Sequence, residues 1–349
     1  MLDDVEFIKS HDSHGMIELI QRFPDDIKSA VNNARDIDIR LFYPELKEEN
    51  IRSVVVSGMG GSGISGNIVR DVLIEKLNIP IIVNKTARLP AFVDDNSLLI
   101  VVSYSGNTQE TLSVFSAAQE RKIPTIAVTS GGKLEELARK NEVPVIMVPE
   151  GYPPRAALPH LLFSVYIALE QAKLIEKFDP TQLIKTLKRV GTILSPDMGV
   201  SRNPAKQCAL KLRHLFPHIY VWDRYGAIAD RWRTQLNENS KIMAISGVFS
   251  EMNHNEIVGW DGTIGSKPAA VLLRTEDEPA PILKRMEFMR HIFKKNGRLI
   301  EIYAEGDSQM EKILTLIFIG DYASVYLAVM NEMDPTPVEI IEKLKKEIM

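Results

Sequence analysis

Ser57-Gly58-Met59-Gly60-Gly61-Ser62-Gly63-Ile64-Ser65-Gly66 follows the apolar run Val54-Val55-Val56 and precedes Asn67-Ile68-Val69-Arg70-Asp71. A buried strand ends and a helix begins across this stretch. Its glycines let the backbone turn tightly and leave main-chain N–H groups and serine hydroxyls unshielded at a helix N-terminus, a place that holds an anion. Gly58-x-Gly60-x-x-Gly63 formally fits the dinucleotide fingerprint, but that fingerprint also needs an acidic residue about 20 positions on, at the end of the second strand. Here that strand, Ile81-Ile82-Val83, runs into Asn84-Lys85-Thr86 without an acid. No Gly-Lys-Ser/Thr follows the glycines, so a Walker loop is excluded as well.

Outward from this loop, strand-like runs recur at Ile81–Val83, Leu98–Val102, Thr125–Val128 and Val145–Val148, with helical patterns between them. This is a βαβ series with a parallel sheet, and the unbroken apolar run Leu98–Val102 fits a strand covered on both faces. The strand at Leu98 delivers Ser103-Tyr104-Ser105-Gly106-Asn107-Thr108-Gln109-Glu110-Thr111, and Thr129-Ser130-Gly131-Gly132 repeats the chemistry one strand later. Asn107 or Thr108 is placed to cap the next helix. Each loop alone is equally well explained as turn and cap chemistry. Together, at the carboxyl ends of parallel strands, they predict a crevice that offers hydroxyls and N–H groups to a compact phosphate.

At 349 residues the chain is long enough for two domains, and the sequence places their boundary near residue 180, at Asp179-Pro180. Domains 1–180 and 181–349 are expected, with residues 1 to 50 wrapping the first sheet. The second half repeats strand-like runs at His218–Trp222, Lys241–Ile245, Ala269–Leu273 and Arg298–Tyr303. The fold class is therefore α/β, with two doubly wound parallel sheets and helices on both faces. A formal net charge of -4 offers nothing to attract nucleic acid. Cys208 is the one cysteine, which rules out an internal disulfide, points to a reducing cytoplasm and is expected to be a buried thiol. The start of the chain lacks a secretory pattern, and the apolar window Ile313–Ile319 is too short to cross a membrane.

Four residues outside the loops carry possible chemistry. Arg155, after Pro153-Pro154, is either an ordinary surface residue at a helix start or a fixed guanidinium for negative charge. Ile228, Trp232 and Leu236 mark one helix face, which places Glu238 in the last turn, where unpaired carbonyls disfavour the carboxylate and favour a proton acceptor. A solvated helix end is the plain alternative. His254, in Asn253-His254-Asn255-Glu256, is a lone histidine, and His11, His14, His160, His214, His218 and His291 show no ligand spacing, so no metal is expected. Lys345 lies beside the face marked by Ile341, Leu344 and Ile348, a face expected to be buried in the final helix. It reads equally as one of several solubilising lysines.

These segments resemble the SIS sugar-isomerase domain and, more narrowly, the bifunctional phosphoglucose/phosphomannose isomerases. The resemblance rests on Gly58–Gly63, Ser103–Thr111, Pro154-Arg155-Ala156-Ala157-Leu158-Pro159, Asn237-Glu238-Asn239-Ser240-Lys241, Asn253-His254-Asn255 and the Leu344-Lys345 ending. It implies aldose-ketose isomerisation of glucose 6-phosphate and mannose 6-phosphate with fructose 6-phosphate through a cis-enediol(ate), without a cofactor. It further implies phosphate binding by Gly60, Gly61, Ser62, Ser103, Ser105 and Thr108. Glu238 would move the proton between C1 and C2, His254 and Lys345 would open and close the ring, and Arg155 would hold the enediolate charge. In the family the histidine crosses into the neighbouring subunit, which implies a homodimer. Val338 stands where some relatives carry a threonine linked to mannose chemistry, with Thr336 two residues earlier. A non-catalytic phosphosugar sensor is the alternative on the same fold, although no basic helix-turn-helix pattern is present in residues 1 to 50.

Overall fold

The computed structural model describes residues 1–262 and 267–348, except for the side chains of Lys345, Lys346 and Ile348. The chain divides into two compact units, one of residues 22–185 and one that joins residues 1–21 to 186–349. The first 21 residues thus cluster with the second half and do not wrap the first sheet. Helices Val5–His11 and Met16–Gln21 bury Ile8, Met16, Ile17 and Ile20 and pack against the helix Gln309–Met330.

In the unit of residues 22–185, strands β1 (Ser53–Ser57), β2 (Ile81–Asn84), β3 (Ser97–Val102), β4 (Thr125–Thr129) and β5 (Val145–Met147) form one parallel sheet in the order β2-β1-β3-β4-β5. Every residue of β1 and β3 is buried, as continuous apolar strands between two helix layers require. On one face Val55, Leu99, Val101 and Ala127 pack with Val114, Phe115 and Ala118 of helix Gln109–Glu120 and with Leu134 and Ala138 of helix Gly132–Lys140. On the other face helix Gly60–Leu73 lies so close to β1 that a Cβ on Gly66 would stand 2.8 Å from Val56 Cγ1.

The second unit holds β6 (Phe216–Val221), β7 (Ile245–Val248), β8 (Pro268–Arg274) and β9 (Arg298–Tyr303), parallel and ordered β7-β6-β8-β9. This is the order of the first sheet without its last strand. The strand expected over Lys241–Ile245 begins only at Ile245, because Lys241 takes a left-handed φ of 55° and Ser240 is bonded to Ser324, which keeps the preceding chain out of the sheet. Helix Gln309–Met330 opens with a capping box made by Ser308 and Glu311. At 22 residues it is long and apolar enough to cross a bilayer, longer than the seven-residue window noticed in the sequence, but its apolar stretch is wholly buried as the core helix of this unit.

The final helix, Glu339–Ile348, departs from expectation: Ile340, Ile341 and Leu344 are 76, 38 and 57% exposed. The core of the unit closes on Gln309–Met330, so the amphipathic helix that follows the Asp334–Pro337 turn lies outside it. Cys208 is buried as expected, and burial pushes its thiol up to about 12, which makes it inert at neutral pH.

Asp12 accepts hydrogen bonds from the Met16 and Ile17 N–H groups at 2.8 Å each, and burial pushes its carboxyl up from 3.8 to about 6. The folded state therefore holds this proton more tightly than the unfolded chain. Its contribution to stability is complete below the unfolded value and is lost as pH rises through about 6. The expected loss is on the order of 3 kcal/mol. Urea unfolding of the protein and of Asp12→Asn at pH 4 to 7 checks this: stability of the variant relative to the parent is expected to rise across that window, and a constant difference would contradict it.

Candidate active site

The order β2-β1-β3-β4-β5 reverses direction between β1 and β3, and the two loops singled out in the sequence leave these two strands at their carboxyl ends. A crevice opens at such a switch point. Helix Gly60–Leu73 starts after Met59, whose side chain has no oxygen, and helix Gln109–Glu120 starts after Thr108, which makes no side-chain cap bond. Both first turns therefore present uncapped N–H groups and the positive ends of their dipoles at one edge of the sheet.

Not every hydroxyl faces that edge. Ser103 is 1% exposed and donates to Thr108 Oγ1 at 3.0 Å, while Ser62, 6% exposed, accepts from the Tyr104 N–H at 3.3 Å. Ser62 thus fastens the first loop to the second, and Ser103 closes the second loop on itself. Gly60 and Ser105 are exposed, and Gly61 and Thr108 are half-buried. The third loop works as a brace: Ser130 Oγ donates to Tyr104 O at 2.6 Å, Thr129 Oγ1 to Gly131 O at 2.8 Å, and Gly131 O packs where any side chain on Gly106 would stand. Gly106 has φ 67°, so glycine is required there on both counts. The third repeat of the Ser/Gly chemistry thus holds the second loop in place.

Arg155 belongs to the same place. It is 3% exposed, which removes the surface reading. Gly61 touches its backbone: a Cβ on Gly61 would stand 2.9 Å from Pro154 O and 3.5 Å from Arg155 Cα. The glycine at this position therefore serves the close approach of the Pro154-Arg155 segment to the first turn of the loop helix. Tyr104 adds a second link, since its hydroxyl donates to Pro149 O at 3.0 Å and accepts from the Tyr152 N–H at 2.8 Å.

Glu238 closes helix Gly226–Glu238 in the other unit, half-buried. The helix is bolted to the core helix Gln309–Met330. Trp232 sits directly on Gly320 and donates to Leu316 O at 2.8 Å, Arg231 pairs with Asp321 through bonds of 3.1 and 2.8 Å, and Asn239 Nδ2 and Ser240 Oγ reach Ser324 at 2.9 and 2.6 Å. Beside Glu238, Gln235 Oε1 and Asn237 Oδ1 are buried acceptors that have no hydrogen-bond partner among the described residues. Arg231, Asp321 and Ser324 escaped the sequence analysis. A lone aspartate inside the apolar run Ile313–Met330 was the available signal, because a charge there needs a buried partner.

His254 is exposed in the turn between helices Phe249–Met252 and Glu256–Asp261. Glu256 anchors this segment by accepting from Tyr220 OH at 2.5 Å, and Tyr220 accepts in turn from Trp260 Nε1 at 2.9 Å. His254 borders a groove of about 390 Å³ with Asn253, Ile257, Lys284, Arg285 and Phe288. Topology separates it from Glu238. The helix ending at Glu238 leads into one end of β7, and His254 follows the other end of that strand after the short helix Phe249–Met252. Lys345 is in the final helix, and its side chain lies outside the described residues. Among the described residues no three His, Cys, Asp or Glu side chains cluster as a metal site requires.

The SIS domain model matches residues 47–169, and the model of the bacterial phospho-glucose isomerase C-terminal SIS domain matches residues 201–348. The chain is 38% identical to a bifunctional phosphoglucose/phosphomannose isomerase of Caldicellulosiruptor bescii, over 95% of this chain and 98% of that one. It is 33% identical to one of Aquifex aeolicus, over 88% and 96%. Among solved structures, the tagatose-6-phosphate ketose/aldose isomerase of Escherichia coli superposes with a TM-score of 0.71 over 94% of this chain and 96% of that one, at 14% identity, a likeness of fold.

Proposed function

Since the chain belongs to the bifunctional phosphoglucose/phosphomannose isomerase family, we propose that it interconverts glucose 6-phosphate and mannose 6-phosphate with fructose 6-phosphate. The observation that carries this reading on the molecule itself is the β1/β3 switch point, where two uncapped helix N-termini and the buried Arg155 meet. The family relatives quoted above are named isomerases, and the non-catalytic sensor finds no support.

The phosphate is taken by the N–H groups at Gly60 and Gly61 and by Ser105 and Thr108, with Ser62 and Ser103 holding the loops that present them. With the ring open, Glu238 removes the C2 proton of the aldose and returns it to C1, while the O2 hydroxyl proton passes to O1 across the cis-enediol(ate), so that the proton count balances. Arg155 stabilises the enediolate oxygen, a role suited to a guanidinium kept from solvent. His254 and Lys345 shuttle the proton between the anomeric oxygen and the ring oxygen. Glucose and mannose phosphates differ at C2, so one base serves both if the intermediate turns about C2–C3. Val338, half-buried, replaces a threonine of some relatives, and the mannose reaction tests its effect. A coupled assay on both aldose phosphates, with chelator present and no added nucleotide, tests the whole reading, and absence of turnover with either sugar would overturn it.

Gly61→Ala is expected to displace the Pro154-Arg155 segment and lower kcat/KM roughly 10-fold or more, since small misplacements of a catalytic group are costly. Steady-state kinetics beside a melting curve checks this, with the fold retained.

The working unit is a homodimer in which His254 serves the partner's site. The position of Glu238 before β7 and of His254 after it supports this, as do exposed Val258 and Phe288 near His254. Mixing Glu238→Gln and His254→Ala chains is expected to restore about a quarter of wild-type activity by random pairing, because one of the two sites in each mixed dimer is intact. No recovery on mixing would count against a shared site. The buried core helix and the buried thiol of Cys208 fit a soluble cytoplasmic protein.

A further inference from the structure

The chain leaves helix Gly226–Glu238 through Asn239 and Ser240, both fully buried, and then turns at Lys241 with φ 55°. A left-handed backbone is unusual for a lysine and marks a place where the surroundings dictate the conformation. The turn brings the Lys241 ammonium back to the helix it has just left, where Nζ donates to the Glu238 carbonyl oxygen at 2.7 Å. A cation at the carbonyl end of a helix is favoured by the dipole. The same ammonium donates to Pro335 O at 2.8 Å.

Pro335 lies in the Asp334-Pro335-Thr336-Pro337 turn, which is gripped from its other side. Asp334 accepts from Ser13 Oγ at 2.6 Å and from the Thr336 N–H at 2.8 Å, and pairs with His14 Nδ1 at 2.7 Å. From this turn the chain enters helix Glu339–Ile348, which carries Lys345. Lys241 thus joins the end of the helix that presents Glu238 to the turn that launches the final helix.

We propose that Lys241 is a positioning residue of the isomerisation: its ammonium locks the Glu238 end of the helix to the Asp334–Pro337 turn, so that the proton-transfer carboxylate is held in one orientation. The proposal rests on the assignment of proton transfer to Glu238. Lys241 itself need not touch substrate, and phosphate binding is left to loops elsewhere in the chain.

Two variants separate this role from a structural one. Lys241→Met removes the donors and keeps the length of the side chain, and Lys241→Gly removes them while relieving the left-handed backbone. Both are expected to lower kcat 10- to 100-fold with KM within about two-fold, the signature of a misaligned group rather than lost binding. Lys241→Arg is expected to recover most of the rate. Hydrogen exchange is expected to speed up at residues 331–338 in the Met and Gly variants while the melting temperature of Lys241→Gly stays near that of the parent. Wild-type turnover in both variants, or a fall in kcat that only tracks the loss of folded protein and is not rescued by Arg, overturns the proposal. Glu238→Gln is measured alongside. If that variant keeps its rate, the assignment of Glu238 fails and takes this proposal with it; if it is inactive while the Lys241 variants are normal, the positioning role alone fails.

Discussion

Glu238→Gln is expected to lower kcat with both aldose phosphates by 10²- to 10⁴-fold, the range that a general base supplies. Glutamine matches the size of glutamate and leaves the helix end, Lys241 and the Ser324 bonds in place, so the loss reports the missing proton acceptor and not a rearranged segment. KM for the sugar phosphate is expected to change little, because the loops proposed to hold the phosphate lie between residues 57 and 111, far along the chain from Glu238. The variant is also expected to lose exchange of the C2 proton with solvent deuterium, a readout independent of how fast the ring opens. Near-normal turnover, or continued exchange at C2, would falsify the assignment and direct attention to another base.

Arg231→Met is expected to destabilise the protein by about 3–5 kcal/mol, because Asp321 then keeps its charge in a nearly dry core. The side chains of the pair are 2 and 3% exposed. Restoring neutrality on both sides, as Arg231→Met with Asp321→Leu, is expected to recover most of that loss, since two apolar groups of similar volume replace a buried pair at little cost. Urea unfolding of the two single variants and the double variant completes the cycle. Additive losses would mean that the pair is not coupled. The pair also bears on activity, because Arg231 lies seven residues before Glu238 on the helix seated on Gln309–Met330. The recovered double variant is therefore the one in which kinetics tests whether the seat itself aims Glu238.

Much of the fold was legible because parallel strands buried on both faces are written as short unbroken apolar runs. Val54–Val56 and Leu98–Val102 are such runs, and β1 and β3 form there. The misplacement of β7 shows the limit of that signal. Lys241–Ile245 has a strand-like composition, yet Ser240 and Lys241 are engaged with Ser324 and Pro335, more than 80 residues away. The final helix is a different failure: the period of its apolar residues was clear, but a period states only which residues share a face. It does not state that the chain has anything to cover that face, and Ile340 and Leu344 remain exposed.

For the candidate site, residue types and order in the chain were sufficient to propose a phosphate at the two Gly/Ser loops, because anion binding at a helix N-terminus depends on local backbone and on the glycines that expose it. What only the tertiary structure decided is how the hydroxyls and charges divide their labour. Ser62 and Ser130 bond across to the Tyr104 backbone, Ser103 and Thr129 bond within their own loops, Arg155 is buried with its backbone against Gly61, and Glu238 ends a helix anchored to Leu316, Asp321 and Ser324. Burial and hydrogen-bond partnership are set by residues that meet only after folding, often more than 80 positions apart, so no local pattern around Ser62, Arg155 or Glu238 contains them.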